Sequence, residues 1–491
     1  MKKLIFLRFH IIKILILVFL IFQACSSENE KIIQDKNQNE IEIIKNEVKI
    51  DLPQIIKKDT LTAITQYNST SYFIFKGKPM GYEYELLELF SKNLDVELKI
   101  ILTDNLDTAI SWLESGKGDI IAQALTITKE RNAILNFSDY HTLTKQVLVQ
   151  RKPEKWRKMT IDNISKQLIR DPINLINKKV HVKVSSPYFQ RLMNLSDEIG
   201  GNIEIIHADE NSVTEDLIKK VAKGEIDYTV ADKNIALVNK TYFPILDIET
   251  EVSFSQRIAW AVRKTSPKLL NSINRWIEKM RKETDYYVIY NKYFKNRKAA
   301  KRRMKSEYFS LTGGKISEFD DIIKKHSEKL NWDWRLIASQ IFQESRFDPK
   351  TKSWAGAKGL MQMMPKTAKQ FGVKKLFNPE ENIKAGTIYL KHISKRFEHI
   401  ESPEEKIKFI LASYNVGYNH VEDAKRLAEK NGHNPNVWDG NVSKFILLLS
   451  KPQYYNDKVV KFGYCRGSEP HKYVKEILKR HEQYKLFIEK K

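Results

Sequence analysis

Two kinds of hydrophobic spacing divide the chain. From Leu52 to about Lys295, short apolar runs alternate with amphipathic stretches: Leu61 to Ile64, a helix opening at Gly81-Tyr82-Glu83-Tyr84-Glu85-Leu86, then Val96 to Leu102 and Ile120 to Ala124. Strand and helix in alternation predict an α/β region. Beyond Ser317 the apolar positions recur every three or four residues, over Phe319 to Leu330, Trp334 to Ser345, Asn382 to Phe397, Ile407 to Tyr414 and Val442 to Leu449. That spacing predicts an α-helical domain of about 180 residues.

The amino terminus follows neither pattern. Lys2, Lys3 and Arg8 precede the apolar run Ile11 to Phe22, broken only by Lys13, and Phe22-Gln23-Ala24-Cys25-Ser26-Ser27 follows. A basic start, an apolar stretch and a small-residue end read as an export signal over residues 1–25. It resembles a bacterial lipoprotein signal, which implies that Cys25 becomes the lipidated first residue of the mature chain. Phe22 and Gln23 depart from that pattern, and an uncleaved transmembrane anchor is the alternative, since the run is near the lower length limit for spanning. Residues 26–51, rich in Asn, Lys, Glu and Ile, read as a tether.

Composition adds the physical setting. With 491 residues, 42% of them hydrophobic, the chain is long enough for two or three globular domains. A formal charge of +23 favours anionic surroundings, which nucleic acid, lipid headgroups and the acidic stem peptides of a cell wall would all supply. No aromatic-basic nucleic-acid module, zinc-type Cys/His spacing, phosphate-binding glycine loop or Ser/His/Asp context is present, so neither nucleic acid, metal nor organic cofactor is expected. Cys465 is the other of the two cysteines, so a chain lipidated at Cys25 has no internal disulfide, and Cys465 is expected to be packed. The densest basic run, Lys295 to Lys305, falls between the two regimes and reads as a solvated linker over residues 296–316.

The chemistry concentrates after Trp334. Asp333 suits an N-cap and Pro349 a stop for the helix Trp334 to Ser345, which carries Glu344 near its end. Three residues after Ile341 and four after Gln340, the Glu344 carboxyl falls at the margin of the buried face. Desolvation there favours the protonated form, which is what a general acid needs. Gly356 and Gly359 permit a tight loop close to a ligand, Gln362 offers a donor and an acceptor, and Pro365 suits the first turn of a helix from Lys366 to Phe371. Asp348 reads as a turn residue before Pro349 rather than a second catalytic acid.

Glu344-Ser345, then Gly356-Ala357-Lys358-Gly359-Leu360-Met361-Gln362 with Pro365, then Ala412-Ser413-Tyr414-Asn415-Val416-Gly417, and finally Tyr473 in His471-Lys472-Tyr473-Val474, resemble the successive motifs of the lytic transglycosylases of goose-type lysozyme-like fold. The resemblance implies that residues 317–491 form a helical catalytic domain acting on peptidoglycan glycan strands. It implies Glu344 as the one catalytic residue, protonating the β-1,4 bridge between N-acetylmuramic acid and N-acetylglucosamine and then assisting closure of a 1,6-anhydro ring. Ser345, Gly359, Gln362, Tyr414, Asn415 and Tyr473 are implied as substrate-binding residues, with Met361 in the apolar wall. A hydrolytic muramidase and a non-enzymatic peptidoglycan receptor are the alternatives.

The α/β region, residues 52–295, carries a second resemblance. Gly118-Asp119, Leu125-Thr126-Ile127-Thr128-Lys129-Glu130-Arg131, Phe137-Ser138-Asp139-Tyr140, Trp260-Ala261-Val262-Arg263-Lys264 and Tyr290 to Phe294 resemble the periplasmic solute-binding proteins for amino acids. A two-lobed domain follows, with Val180 to Ile245 in the second lobe and crossings near Gln150 and Thr250. The resemblance implies that Arg131 meets a ligand carboxylate, and that Thr126 and Asp232 face its amino group. Gln123 and Ala124 depart from the small hydroxyl residues usual there. A small ligand, an amino acid or wall peptide, is therefore expected to regulate cutting, on a protein held in the cell envelope by lipid, in the outer membrane facing the periplasm. A receptor feeding a transporter is the alternative for this domain.

Overall fold

The computed structural model describes residues 48–488 apart from 185, 210 and 211. The export signal, Cys25 and most of the tether lie outside the described residues.

The first domain has two lobes, each built on a twisted sheet. In the first, β1 (Thr60–Thr65) lies between the parallel strands β2 (Glu97–Leu102) and β3 (Ile120–Thr126). The second contains β4 (Gln146–Arg151), β5 (Lys179–Val182), β6 (Glu204–His207) and β7 (Tyr228–Asp232), with β7 parallel to β5 and antiparallel to β4. The chain then returns to the first sheet as β8 (Gln256–Val262), antiparallel to β3. Pairing of β4 with β7 places the first crossing at Lys145, ahead of the expected Gln150. The second comes after Thr250, whose carbonyl still accepts from Leu148 N at 2.8 Å. Apolar side chains fill both faces of these sheets, as buried parallel strands require.

The basic stretch is more than a linker. Arg297–Met304 forms a helix, α1, in which Ala300 and Arg303 are buried. The Arg303 guanidinium lies 5.8 Å from the Phe73 ring and 5.7 Å from the Tyr293 ring. Phe309, also buried, packs edge-on against Phe73 at 5.1 Å. The stretch is thus strapped to the first domain by a few apolar and cation–π contacts that its charge density obscures in the sequence.

The second domain is helical around one core. α2 (Trp334–Ser345) has almost its whole circumference buried; it packs against α5 (Ser468–Phe487) and shares with α3 (Pro379–Ser394) and α4 (Pro403–Val416) a core that includes Ile337, Ile341, Phe409 and Ile477. Ser339 donates to the Ile477 carbonyl at 2.6 Å, tying α2 to α5. The Asp333 side chain caps α2 by accepting from Arg335 N at 3.0 Å. The helix ends as expected, but not at Pro349: Arg346 and Phe347 both take left-handed conformations, with φ of 53° and 63°. Cys465 is buried.

The far end of α5 reaches the first domain. Tyr484 donates to the Gly77 carbonyl at 2.7 Å, and Phe487 stacks on Tyr67 with ring centroids 3.9 Å apart. A Cβ on Gly77, whose φ is 71°, would lie 2.7 Å from the Phe347 ring, so glycine is what lets the two surfaces meet. Among the described residues, no helix is long and apolar enough to cross a membrane.

Candidate active site

The left-handed pair after α2 leaves Glu344 in the last helical turn, half-buried against α5. Tyr473 of α5 donates to Glu344 Oε1 at 2.5 Å, and Gln340, one turn back on α2, donates to the Tyr473 hydroxyl at 3.1 Å. Burial pushes the Glu344 pKa up to about 7; the Tyr473 bond works in the opposite direction, and the nearby charge of Glu469 adds to the rise. A carboxyl in this setting holds a proton near neutrality and has a fixed donor ready to stabilise the carboxylate left after transfer. Such a carboxyl has the chemistry required of a general acid that later acts as a base.

The other motif residues divide by what their polar atoms do. Ser345 is buried and donates to the Leu360 carbonyl at 2.8 Å. Gln362 donates to the carbonyls of Gly359 at 2.8 Å and Thr351 at 3.1 Å, and Tyr414 donates to the Met361 carbonyl at 2.7 Å. All three hold the loop around residues 359–363 by its main chain, so these donors are spent on protein rather than directed at a sugar. Met361 is fully buried, with Gly386 of α3 packed so closely that a Cβ there would lie 2.3 Å from the Met361 sulfur. The expected apolar wall is therefore a core anchor. Gly359, at φ 79°, sits where a Cβ would fall 2.2 Å from the Leu376 carbonyl. Asn415 is half-buried on the last turn of α4, next to Tyr414. Asp348 accepts from Lys350 N at 2.9 Å, as a turn residue does.

Sequence reasoning used Gln340 only to place Glu344, giving it no role of its own, and missed Glu469. Gln340 recurs one turn before Glu344, and Glu469 one turn before Tyr473, so helical spacing from the two motif residues would have found both.

A second constellation lies between the lobes of the first domain. A cavity of about 120 Å³ is lined by Thr126 and Arg131 from one lobe and Asp232 from the other, the three residues that the resemblance implied for a ligand. Arg131 donates to the Thr126 carbonyl at 3.1 Å. Tyr188, not anticipated, donates to Asp232 Oδ2 at 3.2 Å. Burial raises the Asp232 pKa to about 7, against the lowering effects of Tyr188 and Arg131. The lobes are drawn together by Ser69, which bonds Glu215 through both its hydroxyl and its amide. Ala124, at the cavity wall within β3, has a φ of 53°, a conformation rare for alanine that kinks the strand beside the ligand space.

Residues 61–296 match the family of bacterial extracellular solute-binding proteins, family 3, and residues 321–437 match the transglycosylase SLT domain. A membrane-bound lytic murein transglycosylase F from Desulfosudis oleivorans is 36% identical over 418 residues, spanning 85% of this chain and 88% of its own length. Another of the same name, from Aliivibrio fischeri, is 30% identical over 435 residues, spanning 88% and 84%. A crystal structure of a mutant ArgBP from T. maritima aligns at 25% identity and a TM-score of 0.42, covering 50% of this chain and 100% of that one.

Proposed function

The chain belongs to the membrane-bound lytic murein transglycosylase F family, a solute-binding domain joined to a peptidoglycan lytic transglycosylase, and from that premise we propose that Glu344 alone carries the protons of the cut. The supporting observation is its carboxyl: pKa near 7, with Tyr473 bonded to it at 2.5 Å. Glu344 protonates the oxygen joining N-acetylmuramic acid to N-acetylglucosamine, and that bond breaks. The resulting carboxylate takes the proton of the muramic C6 hydroxyl as its oxygen closes on C1. A 1,6-anhydro ring forms and no water is consumed. Tyr473 stabilises the carboxylate between the two steps, and Asn415 is proposed as the motif residue that meets the sugar. Ser345, Gly359, Met361, Gln362 and Tyr414 act indirectly, by fixing the loop that shapes the groove. Purified protein should solubilise isolated peptidoglycan, and strands left intact at every pH tried would overturn the reading.

The first domain is proposed to bind a small ligand, an amino acid or wall peptide, between Thr126, Arg131 and Asp232 and to adjust cutting through α5. Support comes from the chain segment after β1: residues 68, 70 and 71 line the ligand cavity, while Tyr67 beside them stacks on Phe487 of α5. The same helix carries Tyr473, the partner of Glu344. Ligand closure therefore has a continuous packed route to the acid. Arg131→Ala should weaken ligand binding by at least about tenfold, the loss of one charge-assisted contact. Phe487→Ala should leave binding unchanged but disconnect it from turnover. Calorimetry paired with a cleavage assay reads both, and a Phe487→Ala protein that still responds fully to ligand would eliminate this route.

The protein is proposed to reside in the cell envelope, lipidated at Cys25 and held in the outer membrane facing the periplasm. The basic start, apolar run and Cys25 of the sequence support this, as does the membrane-bound designation of the relatives. Mass spectrometry of the mature amino terminus should find acyl chains on Cys25, and a mature wild-type chain without them would refute lipidation.

A further inference from the structure

The cavity between the lobes holds buried polar atoms with no partner among the described residues: Thr126 Oγ1, Gln123 Oε1 and Asp232 Oδ1. A native interior leaves few such groups, and three around one cavity mark where a ligand's hydrogen-bonding groups belong. The Gln123 oxygen can only accept, and the Asp232 oxygen does so whenever that carboxyl is ionised, which calls for a donor-rich ligand. The Gln123 amide is held by its nitrogen, which donates to the Thr103 carbonyl at 2.9 Å, so its oxygen is the free end.

Charge narrows the chemistry. Two cations, Arg131 and Lys183, line the cavity against three acids, Asp104, Glu215 and Asp232. A zwitterionic amino acid would match its carboxylate to Arg131 and its α-ammonium to Asp232 and Thr126. Lys183 acts on Asp104, which is exposed at the mouth. Glu215 then remains, its carboxyl bonded only to the neutral side chains of Ser69 and Asn239 and its pKa raised by burial, which a cation beside it would offset; the Gln123 oxygen is a free acceptor. One more positive charge on the ligand would balance the set.

Size sets the limit. With one water-sized group filling about 10–15 Å³, the cavity of about 120 Å³ accommodates a single free amino acid of moderate length. A disaccharide with an attached peptide is several times too large for the closed lobes.

Resting on the reading of this cleft as an amino-acid site, we propose that its ligand is a free amino acid whose side chain ends in an ammonium group, of about the length of ornithine or lysine. Glu215 and Gln123 receive that ammonium, while Arg131 and Asp232 hold the backbone groups. Selectivity then arises from the lobe-closing Glu215, so the residue that fastens the lobes is also the one that reads the side chain.

Calorimetry on the full chain with L-ornithine, L-lysine, L-norleucine and L-glutamate tests this. Norleucine matches lysine in length and lacks only the terminal charge. The better of the two cationic ligands should bind at least about tenfold more tightly than norleucine, the difference expected of a charge-assisted contact, and glutamate should bind weakest. Glu215→Gln should reduce the preference over norleucine to within about threefold, a ratio that a loss of lobe closure common to both ligands would leave unchanged. Norleucine or glutamate binding as well as the cationic pair would overturn the proposal and leave the amino-acid site standing. If no amino acid in the panel binds, and Arg131→Ala alters nothing, the amino-acid site falls and this inference with it.

Discussion

Glu344→Gln protein is expected to bind peptidoglycan strands and to cut none of them measurably. Gln keeps the shape of the protonated carboxyl, and its amide oxygen can still accept from Tyr473, so the α2–α5 packing should survive. What is lost is the transferable proton, a contribution of about 10²–10⁴ in rate for general acid–base catalysis. Here one group serves both proton transfers, which places the expected loss at the upper end. Stability separates this from misfolding. Because burial raises the Glu344 pKa to about 7, its protonated form is the one the fold prefers. The stability this contributes is present below the unfolded carboxyl value and is lost as pH rises through about 7. Gln cannot ionise, so at pH 8 the variant should melt no lower than wild type, and the wild-type rate should fall as pH climbs past about 7. A variant that melts well below wild type at pH 8 would assign its inactivity to damage rather than chemistry, and retained cleavage would remove Glu344 from the mechanism.

The limits of α2 were legible because its signals are local: Asp333 as cap, apolar spacing through Ile341, and a break before Pro349. The agent of that break was not, since nothing in Arg346-Phe347 announces two consecutive left-handed residues; tertiary packing imposes them. Glu344 and Tyr473 stood out by motif, and the desolvated setting of Glu344 followed from its place at the edge of an apolar face. The duties of Ser345, Gln362 and Tyr414 did not follow, because a hydroxyl or amide in a glycine loop is as suited to holding main chain as to holding sugar, and only the distances to Leu360, Gly359 and Met361 decide. In the first domain, Thr126 and Arg131 lie in a recognisable motif and Asp232 followed from the resemblance alone, whereas Tyr188 and Glu215 come from separate helices of the second lobe that carry no motif and reach the cleft through the tertiary fold. The strap of α1 was hidden for a different reason: net charge dominates its sequence, while the buried Ala300 and the buried Arg303 guanidinium determine where it lies.

The products of cutting distinguish the two chemistries a lone acid could serve. A hydrolase needs a second base to activate water, and paired carboxylates at set separations are the usual solution. Two acids flank the motif residues: Asp348 is exposed and already occupied with Lys350 N, and Glu469 raises the Glu344 pKa by its charge. The C6 hydroxyl of the muramic ring needs no such base beyond Glu344 itself, because it is covalently held to the reacting sugar. Intramolecular nucleophiles of this kind reach effective concentrations of about 10⁵ M or more when well oriented, far above that of water. The released muropeptides are therefore expected to end in 1,6-anhydro-N-acetylmuramic acid, lighter by one water than hydrolytic products, a difference that mass spectrometry resolves directly. Ordinary reducing ends would replace the transglycosylase mechanism with hydrolysis, and Glu469, already coupled to Glu344, would then be the first candidate for the missing base. Glu469→Gln gives the matching control: in the anhydro mechanism cutting persists, with the Glu344 pKa and the alkaline fall in rate moved lower, whereas a hydrolytic base at that position cannot be removed without loss of the reaction.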